Sequence, residues 1–182
     1  MSDPARPPVP PSSFPTPQPS PSAGLPDPPA GATPGEVHDH WMHRAVALAR
    51  NCPPSTTAFS VGAVIVGEDG RALAAGWSRE TAPHDHAEEA ALAKLPPGDE
   101  RLTRATMYST LEPCSARASR PLTCTQLILA ARIPRVVLAW REPLLFVDCD
   151  GAERLRGAGV EVIETPHLAP LARAVNAHLL KG

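Results

Sequence analysis

A chain of 182 residues with 17 Lys and Arg against 19 Asp and Glu, and a formal net charge of −2 at pH 7, has the length of one domain and no basic surplus. Its basic residues are scattered, which argues against nucleic-acid binding. No run of about 18 or more apolar residues offers a membrane span, and no basic-then-apolar leader opens the chain. These exclusions favour a cytoplasmic protein acting on a small molecule, in which four cysteines point to metal binding or burial rather than a disulfide framework.

Thirteen of the 24 prolines fall within residues 1–35. That Pro-, Ser- and Gly-rich stretch lacks periodic apolar residues and reads as a disordered tail, leaving residues 36–182 as the domain. Met42, Ala45, Val46 and Ala49 then recur at helical spacing and predict a helix over 38–50, stopped by Asn51, Cys52, Pro53 and Pro54. Val61 to Val66 is a short β-branched run, and Gly67-Glu68-Asp69-Gly70 supplies the turn to a second strand near 71–77, an antiparallel hairpin. The remainder alternates. Helices are expected near 85–95, 123–132 and 150–158, with strands at 106–109, 136–139 and 160–163, and a last helix follows at about 168–180. Such alternation implies an α/β fold with parallel strands covered by helices on both faces. No internal repeat is visible.

Two segments carry chemistry: Pro83-His84-Asp85-His86-Ala87-Glu88, and Leu111-Glu112-Pro113-Cys114 followed ten positions later by Cys124. With Asp85 as N-cap, His86 and Glu88 fall in a first helical turn. Lying about 200° apart around a helix, they can share a target only if it sits beyond the helix end. Thr123 and Gln126 form a capping box that makes Cys124 the first residue of its helix, where the dipole favours the thiolate a metal needs. One imidazole and two thiolates leave a fourth zinc position open, the pattern of a catalytic site. His84 is the nearest candidate for a fourth ligand, which would make the site structural instead. Glu88 is then the carboxylate placed to move protons.

His86-Ala87-Glu88 with Pro113-Cys114 resembles the signature of the zinc nucleobase deaminases of the cytidine and deoxycytidylate deaminase superfamily. Val61-Gly62-Ala63-Val64 is similar to that family's first strand. Leu111 to Ser115, the long gap to Cys124, and Arg135-Val136-Val137-Leu138-Ala139 most resemble the pyrimidine deaminase domain of riboflavin biosynthesis. The resemblance spans about residues 38–165. It implies a three-layer α/β/α sandwich around a five-stranded mixed sheet, a Zn2+ cofactor held by His86, Cys114 and Cys124, catalysis by Glu88, and a homo-oligomer. The activity it implies is hydrolytic deamination of a pyrimidine-type small molecule, the diaminohydroxyphosphoribosylaminopyrimidine of the riboflavin pathway first, with a cytidine or deoxycytidylate type as the alternative. From another class, a non-catalytic zinc-stabilised binding module is the rival.

The chain departs from the riboflavin-type pattern in places. Nine residues separate Cys114 from Cys124 where eight are usual, Ala58 stands where an Asn touches substrate in relatives, and Ala116 and Arg117 replace histidines. Arg120 matches an arginine of the riboflavin-type loop. Arg120 and the position of Ala58, with Trp77 shortly before His86, are the expected substrate contacts. There is no room for an accompanying reductase domain, so a stand-alone deaminase or a relative with a changed substrate is expected. Plainer readings compete: Glu88 could close a capping box on Asp85, Cys114 and Cys124 could be an oxidisable pair, and Trp77 and Trp140 could be packing residues. Cys52 and Cys149 read as buried small apolar groups, and His38, His40 and His43 as solvated.

Overall fold

A computed structural model describes residues 25–141 and 149–180. Of the expected tail, residues 1–24 lie outside the described residues. Within residues 25–33, Leu25 packs against the core, and the Pro26 carbonyl receives His40 Nε2 at 2.8 Å. Helix α1 (Pro34–Ala49) starts earlier than apolar spacing suggests, because Thr33 and Glu36 close a capping box and Pro34 occupies the first turn.

Strands β1 (Gly62–Val66) and β2 (Ala72–Trp77) form the antiparallel hairpin, as expected. Next come α2 (Ala87–Leu92), a 3-10 turn, β3 (Thr106–Leu111), α3 (Cys124–Ala130), β4 (Arg135–Trp140), α4 (Gly151–Gly157), β5 (Glu161–Glu164) and, after another 3-10 turn, α5 (Ala169–Val175). The sheet order is β2-β1-β3-β4-β5. Its β1–β3 pairing is antiparallel, while β3–β4 and β4–β5 are parallel, giving the five-stranded mixed sheet.

Period-two alternation sorts the strand residues onto two faces. Ile65, Met107 and Val136 face Ala91 of α2, Ile128 of α3 and Leu155 of α4. Val64, Tyr108 and Val137 face Trp41, Met42 and Ala45 of α1 on the other side. The result is a three-layer sandwich, with fully buried Ile65, Met107, Val136 and Val137 in its middle. Two glycines allow close approach where the site is built. A Cβ on Gly76 would stand 2.6 Å from Ala91 N and 2.7 Å from Ala87 O, so α2 lies directly on β2. A Cβ on Gly151 would collide with the carbonyl oxygen of Pro113, so α4 begins hard against the residue before Cys114.

Helix α5 ends at Val175 rather than about 180. The Asn176 side chain leaves the helix pattern to bond the backbone of Ser60 on both its N–H and its carbonyl, at 2.7 and 3.0 Å.

Candidate metal centre and cleft

Helix α2 begins one residue later than Asp85 capping requires. His86 itself is the N-cap, and Glu89, not Glu88, reaches back to the His86 N–H, at 3.5 Å. The Asp85 carboxylate is occupied elsewhere, accepting from Ala82 N at 2.7 Å, Thr81 N at 3.3 Å and the Thr81 hydroxyl. This local knot shapes the turn into α2. It also frees the Glu88 side chain from any capping duty. Helix α3 starts as expected, with Thr123 and Gln126 closing the box and Cys124 in its first position.

The ends of α2 and α3 thereby meet Cys114, which follows β3. The ligand atoms of His86, Cys114 and Cys124 all lie within 4.8 Å of one another. His86 Nδ1 is 3.6 Å from Cys114 Sγ and 3.4 Å from Cys124 Sγ. A sulfur at about 2.3 Å and a nitrogen at about 2.05 Å from a tetrahedral zinc stand about 3.5 Å apart, so the spacing fits that ion. His84 is not part of the cluster among the described residues. The donor set is three, one imidazole and two thiols, which leaves the fourth position of a zinc ion open.

The two thiols are inequivalent. Hydrogen bonding from Cys124, whose backbone N–H donates to Cys114 Sγ at 3.3 Å, together with the neighbouring His86 pulls the Cys114 thiol well below its ordinary range despite burial. Cys124, set against the Cys114 sulfur, buried, and beside the Glu88 carboxylate to which its thiol donates, is pushed up. Burial works against a charged His86, but the bond to Cys114 and the adjacent thiolate outweigh it and raise its pKa. A divalent cation among these atoms is the charge that lets both sulfurs ionise.

Glu88 lies beside the cluster, 3% exposed. Its Oε1 accepts from Ser109 Oγ at 2.8 Å, and its Oε2 accepts from Cys124 Sγ at 3.3 Å. Ser109 comes from the middle of β3 and is fully buried. Sequence reasoning missed it; the signal was a hydroxyl in the middle of the strand that leads into Glu112-Pro113-Cys114.

His86, Glu88 and Cys114 open into a cleft of about 580 Å³, lined by residues from 54–61, 78–79, 83–88 and 111–119. That is the size of a small-molecule site. Ala58 is in its lining. Trp77 and Arg120 lie outside that lining. Trp77 lies under the Lys94 ammonium, 5.3 Å from the ring centroid, because α2 packs on β2 there. Arg120 turns back to Asp85, Nη2 to Oδ1 at 2.7 Å, tying the cysteine loop to the turn before α2. Arg117, three residues earlier, lines the cleft instead, with its side chain 3% exposed. It donates to the His84 carbonyl at 2.7 Å and to Glu89 Oε2 at 3.1 Å.

Other residues fall where plainer readings put them, or close to it. Cys52 Sγ donates to the Val61 carbonyl at 3.4 Å. Half-buried Cys149 lies near Ser115 and the Pro113 carbonyl. His40 and His43 are bonded to backbone carbonyls at the α1 surface, but His38 is partly buried, with Nδ1 3.0 Å from the Tyr108 hydroxyl. No described helix is long and apolar enough to cross a membrane.

Residues 35–140 match the family described as the cytidine and deoxycytidylate deaminase zinc-binding region. Over 129 residues the chain is 44% identical to the "Diaminohydroxyphosphoribosylamino-pyrimidine deaminase" of Schizosaccharomyces pombe, covering 70% of this chain and 32% of that protein. It superposes on a diaminohydroxyphosphoribosylaminopyrimidine deaminase/5-amino-6-(5-phosphoribosylamino)uracil reductase from Thermotoga maritima with a TM-score of 0.67 and 34% identity, covering 76% of this chain and 39% of the other. A structure of the Aspergillus oryzae Rib2 deaminase in complex with DARIPP aligns with a TM-score of 0.60 and 25% identity, over 80% of this chain and 100% of that one. The chain spans about a third of the length of the curated relatives it matches.

Proposed function

The chain belongs to the zinc-binding cytidine and deoxycytidylate deaminase family, and on that premise we propose that it is a hydrolytic deaminase of diaminohydroxyphosphoribosylaminopyrimidine. The observation that carries the reading is the placement of Glu88. A buried carboxylate is held by Ser109 on one oxygen and faces the ligand cluster with the other, inside a cleft of small-molecule size. A zinc that only held the fold together would need no such group, which weighs against a non-catalytic binding module.

His86 through Nδ1, Cys114 and Cys124 would hold the ion. When bound, zinc supplies a Lewis acid that brings the pKa of water from about 15.7 down to roughly 7. The chain's own residues do the rest. Glu88 takes a proton from the attacking water on Oε2 and delivers it to the ring nitrogen. It then takes the second proton of that water to the departing amino group, so one water is consumed and one ammonia is released. Ser109 keeps the carboxylate turned toward the cleft, and the buried Arg117 holds the cysteine loop against His84 and Glu89. We assign Ala58 and Arg117 to the substrate side of the cleft and Arg120 to support of the loop behind it.

The choice of substrate is supported by the activity for which the relatives are named and by the long spacing between Cys114 and Cys124. A homo-oligomer in the cytoplasm completes the proposal, supported by the family resemblance. The test compares the zinc-loaded protein on the diaminopyrimidine and on cytidine, deoxycytidine and their monophosphates. Product from the first alone supports the proposal. Uridine, deoxyuridine or their monophosphates as the only products would move the protein to the cytidine and deoxycytidylate type.

A further inference from the structure

The wall of the cleft formed by residues 53–60 has little secondary structure of its own, yet it is held from two sides. From the strand side comes Arg79, whose backbone is in the left-handed region at φ 62, a conformation that costs a non-glycine residue energy and persists where something holds it. Its guanidinium donates from Nε and Nη2 to the Pro53 carbonyl at 3.0 and 2.8 Å, from Nη1 to the Phe59 carbonyl at 3.0 Å, and from Nη2 to Ser60 Oγ at 3.0 Å. The planar fork therefore bridges both ends of the loop. The same residue's N–H donates to the Asp85 carbonyl at 2.8 Å, one residue before His86.

From the C-terminal side comes Asn176, 2% exposed, which pairs with both backbone groups of Ser60 and with the Ala172 carbonyl at 3.1 Å. His178 Nε2 is 2.8 Å from the Ser55 carbonyl. Leu179 and Leu180 pack against the cluster that contains Phe59 and Val61, and Phe59 meets Trp140 edge-on at 5.2 Å. Backbone without a ladder of its own thus has its polar groups satisfied by side chains from two distant segments.

We propose that Arg79 and Asn176 are positioning residues that clamp residues 53–60 as the substrate-selecting wall of the cleft, making the segment that follows α5 part of the substrate site. This rests on the deaminase reading above. Arg79 sets the distance between the wall and the turn that carries His86, and Asn176 fixes the wall's far end. Substitution at either position displaces Thr57 and Ala58 relative to Glu88, and a displacement of about 1 Å is enough to lower kcat/KM on a positioned substrate by up to about a hundredfold.

Arg79→Gly is the cleaner probe, because glycine accepts the left-handed backbone and only the side chain is lost. Asn176→Ala is the second, reaching the same loop from the opposite side. Amide hydrogen exchange over residues 53–60, zinc content, and kcat and KM on the diaminopyrimidine are measured for both and for wild type. The expected result is faster exchange confined to that loop, full zinc, and KM raised about tenfold with a smaller change in kcat. Unchanged exchange would remove the clamp, and faster exchange with unaltered kcat and KM would remove the selecting role. Loss of zinc in both variants would mean a merely structural part. A wild type inactive on every pyrimidine would overturn the deaminase reading and the selecting role together, while the exchange data would still decide the clamp.

Discussion

The Ser109 hydroxyl donates to Glu88 Oε1 at 2.8 Å, joining the middle of the third strand to the first turn of the second helix beneath the metal ligands. Both side chains are almost wholly excluded from solvent, so the bond fixes which carboxylate oxygen is left to face the cleft. Ser109→Ala removes that bond without touching a ligand. The expected outcome is full zinc content with kcat lowered about tenfold and KM little changed. Steady-state kinetics with metal analysis checks it, and an undiminished kcat would show that Glu88 needs no such support.

Zinc removal should loosen the domain as well as stop turnover. The three donors link the starts of α2 and α3 to the end of β3, so an ion bound to the folded state alone stabilises it by linkage. With zinc at about a thousandfold its Kd, that linkage is about 4 kcal/mol, on the order of 10 °C in Tm. Thermal melts with and without a chelator read it directly, and equal Tm values would contradict it.

Two glycines of α4 make a paired test of packing. A Cβ at Gly151 would meet the Pro113 carbonyl, with Thr125 Oγ1 at 3.2 Å, whereas one at Gly157 meets nothing within 4 Å. Gly151→Ala should cost about 1–3 kcal/mol of stability and weaken zinc retention by pushing on the residue before Cys114. Gly157→Ala should be neutral or slightly stabilising. Denaturant melts distinguish them, and equal effects would rule out the close approach.

His38 carries the pH prediction. Burial lowers its pKa, Arg135 on β4 adds to that, and Glu161 on β5 and Asp39 partly oppose. The folded pKa thus lies below the unfolded value of about 6.5, and between the two the unfolded chain binds more protons. The contribution is present above the unfolded pKa and is lost as pH falls through the folded one. Wild type should therefore lose more stability between neutral and mildly acidic pH than His38→Gln does. Parallel curves for the two proteins would show that His38 is indifferent to folding.

Much of the site was legible because capping chemistry is local. Thr123 and Gln126 place Cys124 at a helix start from sequence alone, and the helix and strand order follows from apolar spacing. The misreadings came where a distant or alternative partner prevailed. Asp85 is a good N-cap residue, but the Thr81 and Ala82 amides claim its carboxylate first, which shifts the cap to His86. Arg117 and Arg120 are three residues apart on one loop, and only the fold shows that the first lines the cleft while the second turns to Asp85. Trp77 is covered by Lys94, whose ammonium also reaches Glu80 at 2.7 Å, a pairing that spans 17 residues of sequence from ring to amine. Ser109 is a strand residue whose importance depends on which helix crosses it.

In the proposed function Glu88 moves protons for a deamination beside a His86, Cys114 and Cys124 zinc centre. The most direct test is ammonia release from diaminohydroxyphosphoribosylaminopyrimidine by zinc-loaded wild type and by zinc-loaded Glu88→Gln, with metal content measured on both. Wild type should release ammonia, and the variant should lose at least about a hundredfold of that rate at equal zinc. Equal release by the two proteins, or none from wild type with zinc bound, would contradict it.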